Sequence, residues 1–445
     1  MNVHRRTRAI VDRRLLSVLF GLMLISHIDR SNVSFAALDM NQDLGMSSTI
    51  FGLAAGIFFI GYAAGGLPHA AILDRFRDHR WLGAMIGLWG LSCMALAVVP
   101  NAALFVLFRF LLGLGEAVLI PACYTCLARF YSREDLSGAT AKVGAAAATA
   151  TLIGAPMAAG LLQIDWVGLV GWQWLFLLQG APAVIIAPFV GRLVPYDPQR
   201  ARWLPEESRQ WLLERTDQAD GRDDAETAPV SSAFASIIRM RRVWLLGFVY
   251  FTIQLGFWGL IFFLPQIIKA GFAHLSSVQV ALVAALPYAV ALATMIFFGR
   301  TSVMTGDRRW HLVGLLTGSG FALGAAIAVD GAIAQVALAV GIALSFSAIG
   351  LYHSVTASTL APNVRTMGVA MVNGLGLLGG FIGPYLFGWL SESTGFDAFG
   401  FGTFAVSLLA GAAVVVLNPR HFPTASPRVE TIRPQSPEPS RDAVA

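Results

Sequence analysis

Four ionisable residues stand inside long apolar runs: Asp29 and Arg30 in one, Arg109 and Glu116 in another. A charge at the centre of a membrane helix costs about 2.5–3.5 kcal/mol on insertion scales, so such residues face a protein interior or an aqueous cavity and pair or bind something there. Two acids balance two bases. Arg109 and Glu116 are seven residues apart, about 700° around a helix and close to two full turns, so they share one face about 10 Å apart along the axis. Each is therefore placed to meet a partner on another helix. Asp29 and Arg30 are neighbours, about 100° apart, and point in different directions. Arginine recognises carboxylates through a planar, permanently charged fork. A carboxyl group in a low-dielectric site can take up and release protons. An anion carried together with protons needs both. A purely structural ion network locking these helices would use the same four residues.

The elements that hold these charges are membrane helices. The chain has 445 residues, of which 56% are hydrophobic and 13% charged. Soluble domains are roughly a quarter charged, so a soluble globule is excluded, and disorder and collagen with it. The three cysteines (Cys93, Cys123, Cys126) all lie in apolar runs and give no disulfide framework; Cys123-x-x-Cys126 lacks a second ligand pair for a metal. About 20 apolar residues cross a bilayer as a helix. Twelve such runs are present, near 15–36, 49–71, 80–98, 103–128, 138–162, 172–194, 243–267, 277–299, 311–329, 333–357, 367–390 and 398–418. They are continuous rather than alternating, which favours helices over a barrel.

Arginines explain the formal charge of +5. They crowd the N-terminus (Arg5, Arg6, Arg8, Arg13, Arg14), the loop after the second run (Arg75, Arg77, Arg80), the central loop, the loop at Arg308 and Arg309, and the tail. The opposite loops hold only Lys269. This bias predicts both termini in the cytoplasm. The first run follows a basic segment as a signal peptide would, but no small-residue cleavage site follows it, so it reads as an uncleaved helix. Expected partners are a lipid bilayer, a small substrate and a proton, with no nucleic acid and no cofactor; the chain is expected to act as a monomer.

Composition divides the chain into a cytoplasmic N-terminal tail (1–14), a six-helix bundle (15–195), a cytoplasmic linker (196–241), a second six-helix bundle (242–418) and a tail rich in Pro, Ser and Arg that reads as disordered (419–445). The linker carries one charged stretch, Glu206 to Arg215, that reads as a short surface helix. The halves repeat weakly. At an offset of 229 residues, Asp78, Arg80 and Trp81 meet Asp307, Arg309 and Trp310, and Ile153-Gly154 meets Ile382-Gly383. The reading is an all-α membrane protein of twelve helices in two pseudo-symmetric bundles. Parallel repeats of this kind suit alternating access, with a substrate site between the halves near mid-membrane.

Polar or aromatic residues inside otherwise apolar runs are further cavity candidates: Tyr62, Gln254, Trp258, Tyr352 and Asn373. Gln254 and Asn373 could donate to substrate oxygens, or they could serve as glue between helices. His27, His69 and His353 read more readily as hydrogen-bonded packing residues than as a proton relay. Glycines of the fifth and eleventh runs, with Pro156 and Pro384, read as close-packing positions that permit bending.

Several stretches together resemble the major facilitator superfamily, and within it the anion:cation symporter family of organic-anion transporters. They are Ile28-Asp29-Arg30-Ser31-Asn32-Val33-Ser34-Phe35-Ala36, Gly52 to Tyr62, Arg109-Phe110-Leu111-Leu112-Gly113-Leu114-Gly115-Glu116-Ala117, and Asn373 through Tyr385. The resemblance covers residues 15–418. It implies that Asp29 and Glu116 couple protons, that Arg30 and Arg109 contact or organise the substrate carboxylate, and that Tyr62 and Asn373 line the site. It also implies a cytoplasmic gate at Asp74, Arg75 and Arg80, matched in the second half by Asp307 and Arg309. The implied substrates are sugar acids, tartrate-like hydroxy acids or aromatic acids, imported across a bacterial inner membrane. The chain departs from the family pattern at Leu377, at Val303-Met304, at Leu67-Pro68-His69 and around Tyr352 to Val355.

The expected function is proton-coupled symport of a small organic carboxylate. An exporter of drugs or metabolites on the same fold is the alternative, disfavoured by buried arginines that repel cations. A transporter-like sensor or a membrane enzyme is a third class, and no nucleophile motif, phosphate loop or metal cluster speaks for an enzyme.

Overall fold

The computed structural model describes residues 3–76, 79–195, 197–220, 237–329, 331–360 and 362–422. Among the described residues, twelve long helices form two bundles of six. The first bundle holds α1 (Ser17–Asp43), α2 (Ser48–Phe76), α3 (His79–Ala95), α4 (Ala102–Phe130), α5 (Arg133–Leu161) and α6 (Gly171–Leu193). The second holds α7 (Arg241–Gly271), α8 (Ser277–Thr305), α9 (Arg309–Ala328), α10 (Gly331–Thr359), α11 (Pro362–Thr394) and α12 (Ala398–Leu417). Among the described residues, eleven of these are long and apolar enough to cross a membrane. The twelfth, α1, is 27 residues long but carries Asp29, Arg30 and Asp39, and the surrounding helices bury its polar middle. The chain is a multi-pass membrane protein.

Several helices run well past the apolar stretches that foretold them: α2 to Phe76, α8 to Thr305, α11 from Pro362. Hydropathy registers only the greasy middle of such a helix, whereas backbone hydrogen bonding carries it on until a cap stops it. The caps are visible. Ser276 and Gln279 close a capping box at the start of α8, and Gly306 ends it in the left-handed conformation at φ 70°.

The N-terminal tail is helical from Val3 to Val11 and lies on the first bundle. His4 and Arg8 both engage Asp135 at the start of α5, at 2.7 and 2.6 Å. The linker helix runs Glu206–Asp220, five residues beyond the charged stretch that foretold it. Residues 221–236 and the tail beyond 422 lie outside the described residues.

Arginines also cap helix ends. Arg309 donates to the carbonyls of Val415 and Val416 at the end of α12, and Arg242 to that of Thr359 at the end of α10. A cation at a helix C-terminus meets unpaired carbonyls and the negative end of the dipole. Asp307 accepts from the Trp310 backbone N–H at 3.0 Å and so caps the start of α9. Asp307 and Arg309 therefore both pin helix ends. Arg80 sits in the matching place, lining a shallow pocket with Ala187 and Gly191 of α6. The 229-residue offset carries Val416 onto Ala187. Asp74 and Arg75 fall within the last turns of α2, but their side chains, and Asp78, lie outside what the structure describes.

The halves meet through α2 against α11, α5 against α8 and α1 against α7. Pseudo-symmetry exchanges the first two contacts. At the end opposite the arginines the approach is tight: Ser277 donates to Asp39 at 3.2 Å, and the Thr49 backbone N–H to Glu392 at 2.9 Å. A Cβ placed on Gly56 would stand 2.5 Å from the Phe381 carbonyl oxygen. Such contact between two backbones is what glycine permits in a membrane bundle.

Gly56→Leu should wedge this end open. Cysteines introduced at Asp39 and Ser277 should cross-link readily in the parent chain, whose native cysteines are buried, and several-fold less with Gly56→Leu. Equal cross-linking in both would show that α2 and α11 do not set this closure.

Candidate functional site

A cavity of 760 Å³ lies between the bundles. From the first half, α1 contributes His27, Arg30, Ser31 and Phe35, and α5 a run of alanines with Gly144 and Gly154. From the second half, α7 contributes Tyr250, Gln254, Phe257 and Trp258, α8 contributes Tyr288, and α10 contributes Phe346 and His353. On α10 the lining residues fall in the half nearer the arginine-rich face, and on α5 they span the middle of the helix, so the cavity lies at mid-membrane.

Of the four charges only Arg30 lines the cavity; Asp29, Arg109 and Glu116 lie behind the first-half wall. Arg30 forms an ion pair with Glu116, and Ser26 donates to the same carboxylate oxygen at 2.7 Å. Glu116 is 1% exposed and its second oxygen has no partner among the described residues. Asp29 is fully buried and accepts from the Trp89 indole at 2.9 Å. Arg109 is equally buried and makes no ion pair among the described residues. Its guanidinium donates to two successive carbonyls of α2, Ala54 at 3.2 Å and Ala55 at 3.3 Å. One ring ties the two arginines together: Phe58 has Arg30 at 5.1 Å and Arg109 at 5.2 Å from its centroid. Arg30 also faces Tyr62 at 5.4 Å and Trp258 at 6.0 Å. Cation–π contacts of this kind gain strength where water is excluded.

The local sequence of α4 explains the arrangement. A Cβ on Gly113 would stand 2.1 Å from the Phe58 carbonyl oxygen, and one on Gly115 2.7 Å from the Trp89 backbone nitrogen. The two glycines draw α2 and α3 into backbone contact with α4. That brings Arg109 to the α2 carbonyls and Trp89 to Asp29. Directly after Glu116 the helix loosens: its two regular stretches are Ala102–Glu116 and Leu119–Phe130. Pro121 has no N–H to give the Ala117 carbonyl, and the ladder resumes with Ala122 on Val118.

The structure thus brings Arg30, Gln254 and Trp258 to the cavity, with Tyr62 beside Arg30. Gln254 Oε1 and the Trp258 indole N–H have no partner among the described residues. It does not place Arg109, Tyr352 or Asn373 on the described lining. Tyr352 stacks on Tyr250 at 4.9 Å and donates to the Leu246 carbonyl at 2.6 Å, one layer behind the wall. Asn373 is half-buried on α11. Arg109 stands apart: its Nε and one terminal nitrogen bond the α2 backbone, and the other terminal nitrogen, Nη1, is buried with no partner among the described residues. His69 packs as expected, bonded to the Leu114 carbonyl and to Trp81, whereas His27 and His353 line the cavity. Ser26 and His27 lie one turn before Arg30, and Ser31 one turn after His27, so the 3.6-residue period contained a signal for them. Trp89, Phe58 and Tyr250 come from other helices and had none.

The two arginines should separate experimentally. Arg109→Ala should destabilise the fold by about 3 kcal/mol, since it strips two buried carbonyls of a charged donor, and Arg109→Lys should not restore it. Its surviving folded fraction should bind carboxylates within about threefold of the parent. Arg30→Ala should lose binding while remaining folded. Thermal melts beside binding isotherms check this, and the reverse split would place the anion at Arg109.

The comparisons agree with this architecture. The chain matches the Major Facilitator Superfamily over residues 19–362. It is 35% identical over 424 residues to a "Putative tartrate transporter" of Agrobacterium vitis, covering 94% of this chain and 96% of that protein. It is 32% identical to a "Quinolone resistance transporter" of Acinetobacter baumannii, covering 90% and 92%. Among solved structures it superposes with TM-score 0.71 and 18% identity on a bacterial homologue of the human lysosomal transporter Spinster, covering 92% and 95% of the two chains. With a D-xylose–proton symporter the TM-score is 0.68 at 15% identity, covering 90% and 96%. Two six-helix bundles around a central cavity, an internal repeat and these matches have one conclusion: the chain is a transporter, not an enzyme, and belongs to the Major Facilitator Superfamily.

Proposed function

We propose that the protein imports a small organic carboxylate together with protons, by alternating access, across a bacterial inner membrane. The observation that carries this reading is the Arg30–Glu116 ion pair, whose arginine lines the cavity while its carboxylate lies behind the wall. The four buried charges sum to zero. A substrate carboxylate that took Arg30 from an ionised Glu116 would leave an unpaired buried acid, which is costly in a low dielectric. Protonating Glu116 removes that cost and frees the guanidinium. Anion binding and proton uptake then favour each other, as linkage requires. Asp29 is the second coupling carboxyl in this reading: it is buried, and its Oδ1 has no partner among the described residues. Arg80, Asp307 and Arg309 act as latches on the helix ends of the arginine-rich face, with Asp74 and Arg75 assigned to the same gate. Organic-acid transport is supported by the tartrate-transporter relative.

A second reading, export of a drug or metabolite on the same fold, is favoured by the quinolone-resistance relative. Uptake into proteoliposomes separates the two. An inward proton gradient should drive accumulation of one acid from a panel of sugar, hydroxy and aromatic acids. Glu116→Gln should abolish gradient-driven accumulation while retaining binding or exchange. Undiminished concentrative uptake by Glu116→Gln would remove Glu116 from the coupling. Proton-driven efflux of an uncharged or cationic compound, with no acid taken up, would install the exporter reading.

A further inference from the structure

Three residues on one face of α1 look into the cavity: His27, Arg30 and Ser31, at positions i, i+3 and i+4. Their hydrogen-bonding capacities are fixed by the backbone behind them. His27 Nδ1 lies 2.7 Å from the Met23 carbonyl oxygen. A carbonyl only accepts, so Nδ1 carries the proton and the neutral imidazole offers a bare acceptor at Nε2. That nitrogen forms no hydrogen bond among the described residues. The Ser31 hydroxyl donates its proton to the carbonyls of Ile28, at 3.1 Å, and His27, at 3.4 Å. Its oxygen lone pairs remain. The face therefore presents one cation flanked by acceptors.

Resting on the carboxylate reading above, we infer that the substrate carries a hydroxyl on the carbon next to the carboxylate held by Arg30, and that His27 Nε2 accepts this hydroxyl. The class is the 2-hydroxycarboxylates. The two groups of such an acid lie side by side on adjacent carbons. The cation and the acceptor lie one helical turn apart on α1, both reached by long side chains. An aryl or plain alkyl carboxylate has no proton to give, so on binding it strips water from Nε2 without replacing the hydrogen bond. Sites built to bond a substrate hydroxyl reject analogues that lack it for this reason. The facing wall of α5 leaves room for the substituent at Gly144, where an added Cβ would meet nothing within 4 Å. His27 is thus a specificity-determining residue, distinct from the carboxyls that couple the proton.

The test is equilibrium binding to the purified full-length chain, using pairs of acids that differ by one 2-hydroxyl: malate and succinate, lactate and propionate, mandelate and phenylacetate. At least one hydroxylated member should bind about 10- to 100-fold tighter than its partner. His27→Phe should bring that ratio to within about threefold by weakening the hydroxylated acid alone. Unchanged affinity for the deoxy acid certifies that the variant is folded. His27→Gln, which keeps a side-chain acceptor, should keep part of the preference. Equal binding within every pair by the parent chain, or a ratio that survives His27→Phe, overturns the inference and leaves the carboxylate reading standing. Binding of none of the six acids overturns both.

Discussion

One ion pair in a low-dielectric interior sets the terms for the rest of this protein. Arg30 and Glu116 are held together where neither could stand alone, and the helices around them are arranged to keep that state tolerable. Ser26 supplies a further donor to Glu116, the Phe58, Tyr62 and Trp258 rings surround the guanidinium, and Trp89 holds Asp29 on the far side. Water that might solvate these charges is largely excluded, so each must be met by a protein group. This requirement explains the glycines of α4 better than any need for flexibility. Without Gly113 and Gly115, α2 and α3 could not come close enough for Ala54, Ala55 and Trp89 to do their part.

Two arginines of identical chemistry have come to opposite uses, and only their surroundings decide which is which. Arg109 lies under a helix whose carbonyls two of its three nitrogens reach, and those two bonds hold α2 on α4. Arg30 reaches no such carbonyl. Its partner is a carboxylate that can be neutralised by a proton, and one edge of its guanidinium looks into the cavity, with the side chain 13% exposed. The first is a fastening that transport has no cause to undo. In the proposed cycle the second is exchangeable, because a substrate carboxylate offers the guanidinium what Glu116 offers it. A binding site that must release its cargo needs a contact of the second kind.

Much of this was legible in the residues. The twelve runs, the arginine bias and the 229-residue offset are properties of the whole chain, and averaging over many residues makes them robust. The four buried charges announced themselves because their cost is local. What the sequence did not yield was the partner of each charge. Arg109 and Arg30 look equivalent in a linear reading, and so do Tyr352 and Tyr250, of which only the second reaches the cavity. These distinctions depend on which helix stands across from which, and helix–helix contact in a membrane is set by small residues and shape, not by a hydrophobic pattern. His27 lay in between. The helical period put it on the face of Arg30, but its role turns on the Met23 carbonyl behind it.

The halves share an architecture but not a chemistry. Carrying the 229-residue offset into α1 sets Trp258 and Gly259 of α7 opposite Asp29 and Arg30, and carrying it into α4 sets Leu338 and Ser345 opposite Arg109 and Glu116. The second half has no charge at any of these places. Its wall is aromatic: Tyr250, Phe257, Trp258, Tyr288 and Phe346. All four charges ride on α1 and α4 of the first half, and their hydrogen-bond partners among the described residues lie in the same half. Rocking one bundle against the other then leaves the network intact, so the motion never incurs the cost of separating buried charges. What the motion changes is the distance between a charged wall and an aromatic one, and a substrate that touches both is what can couple its own binding to that distance.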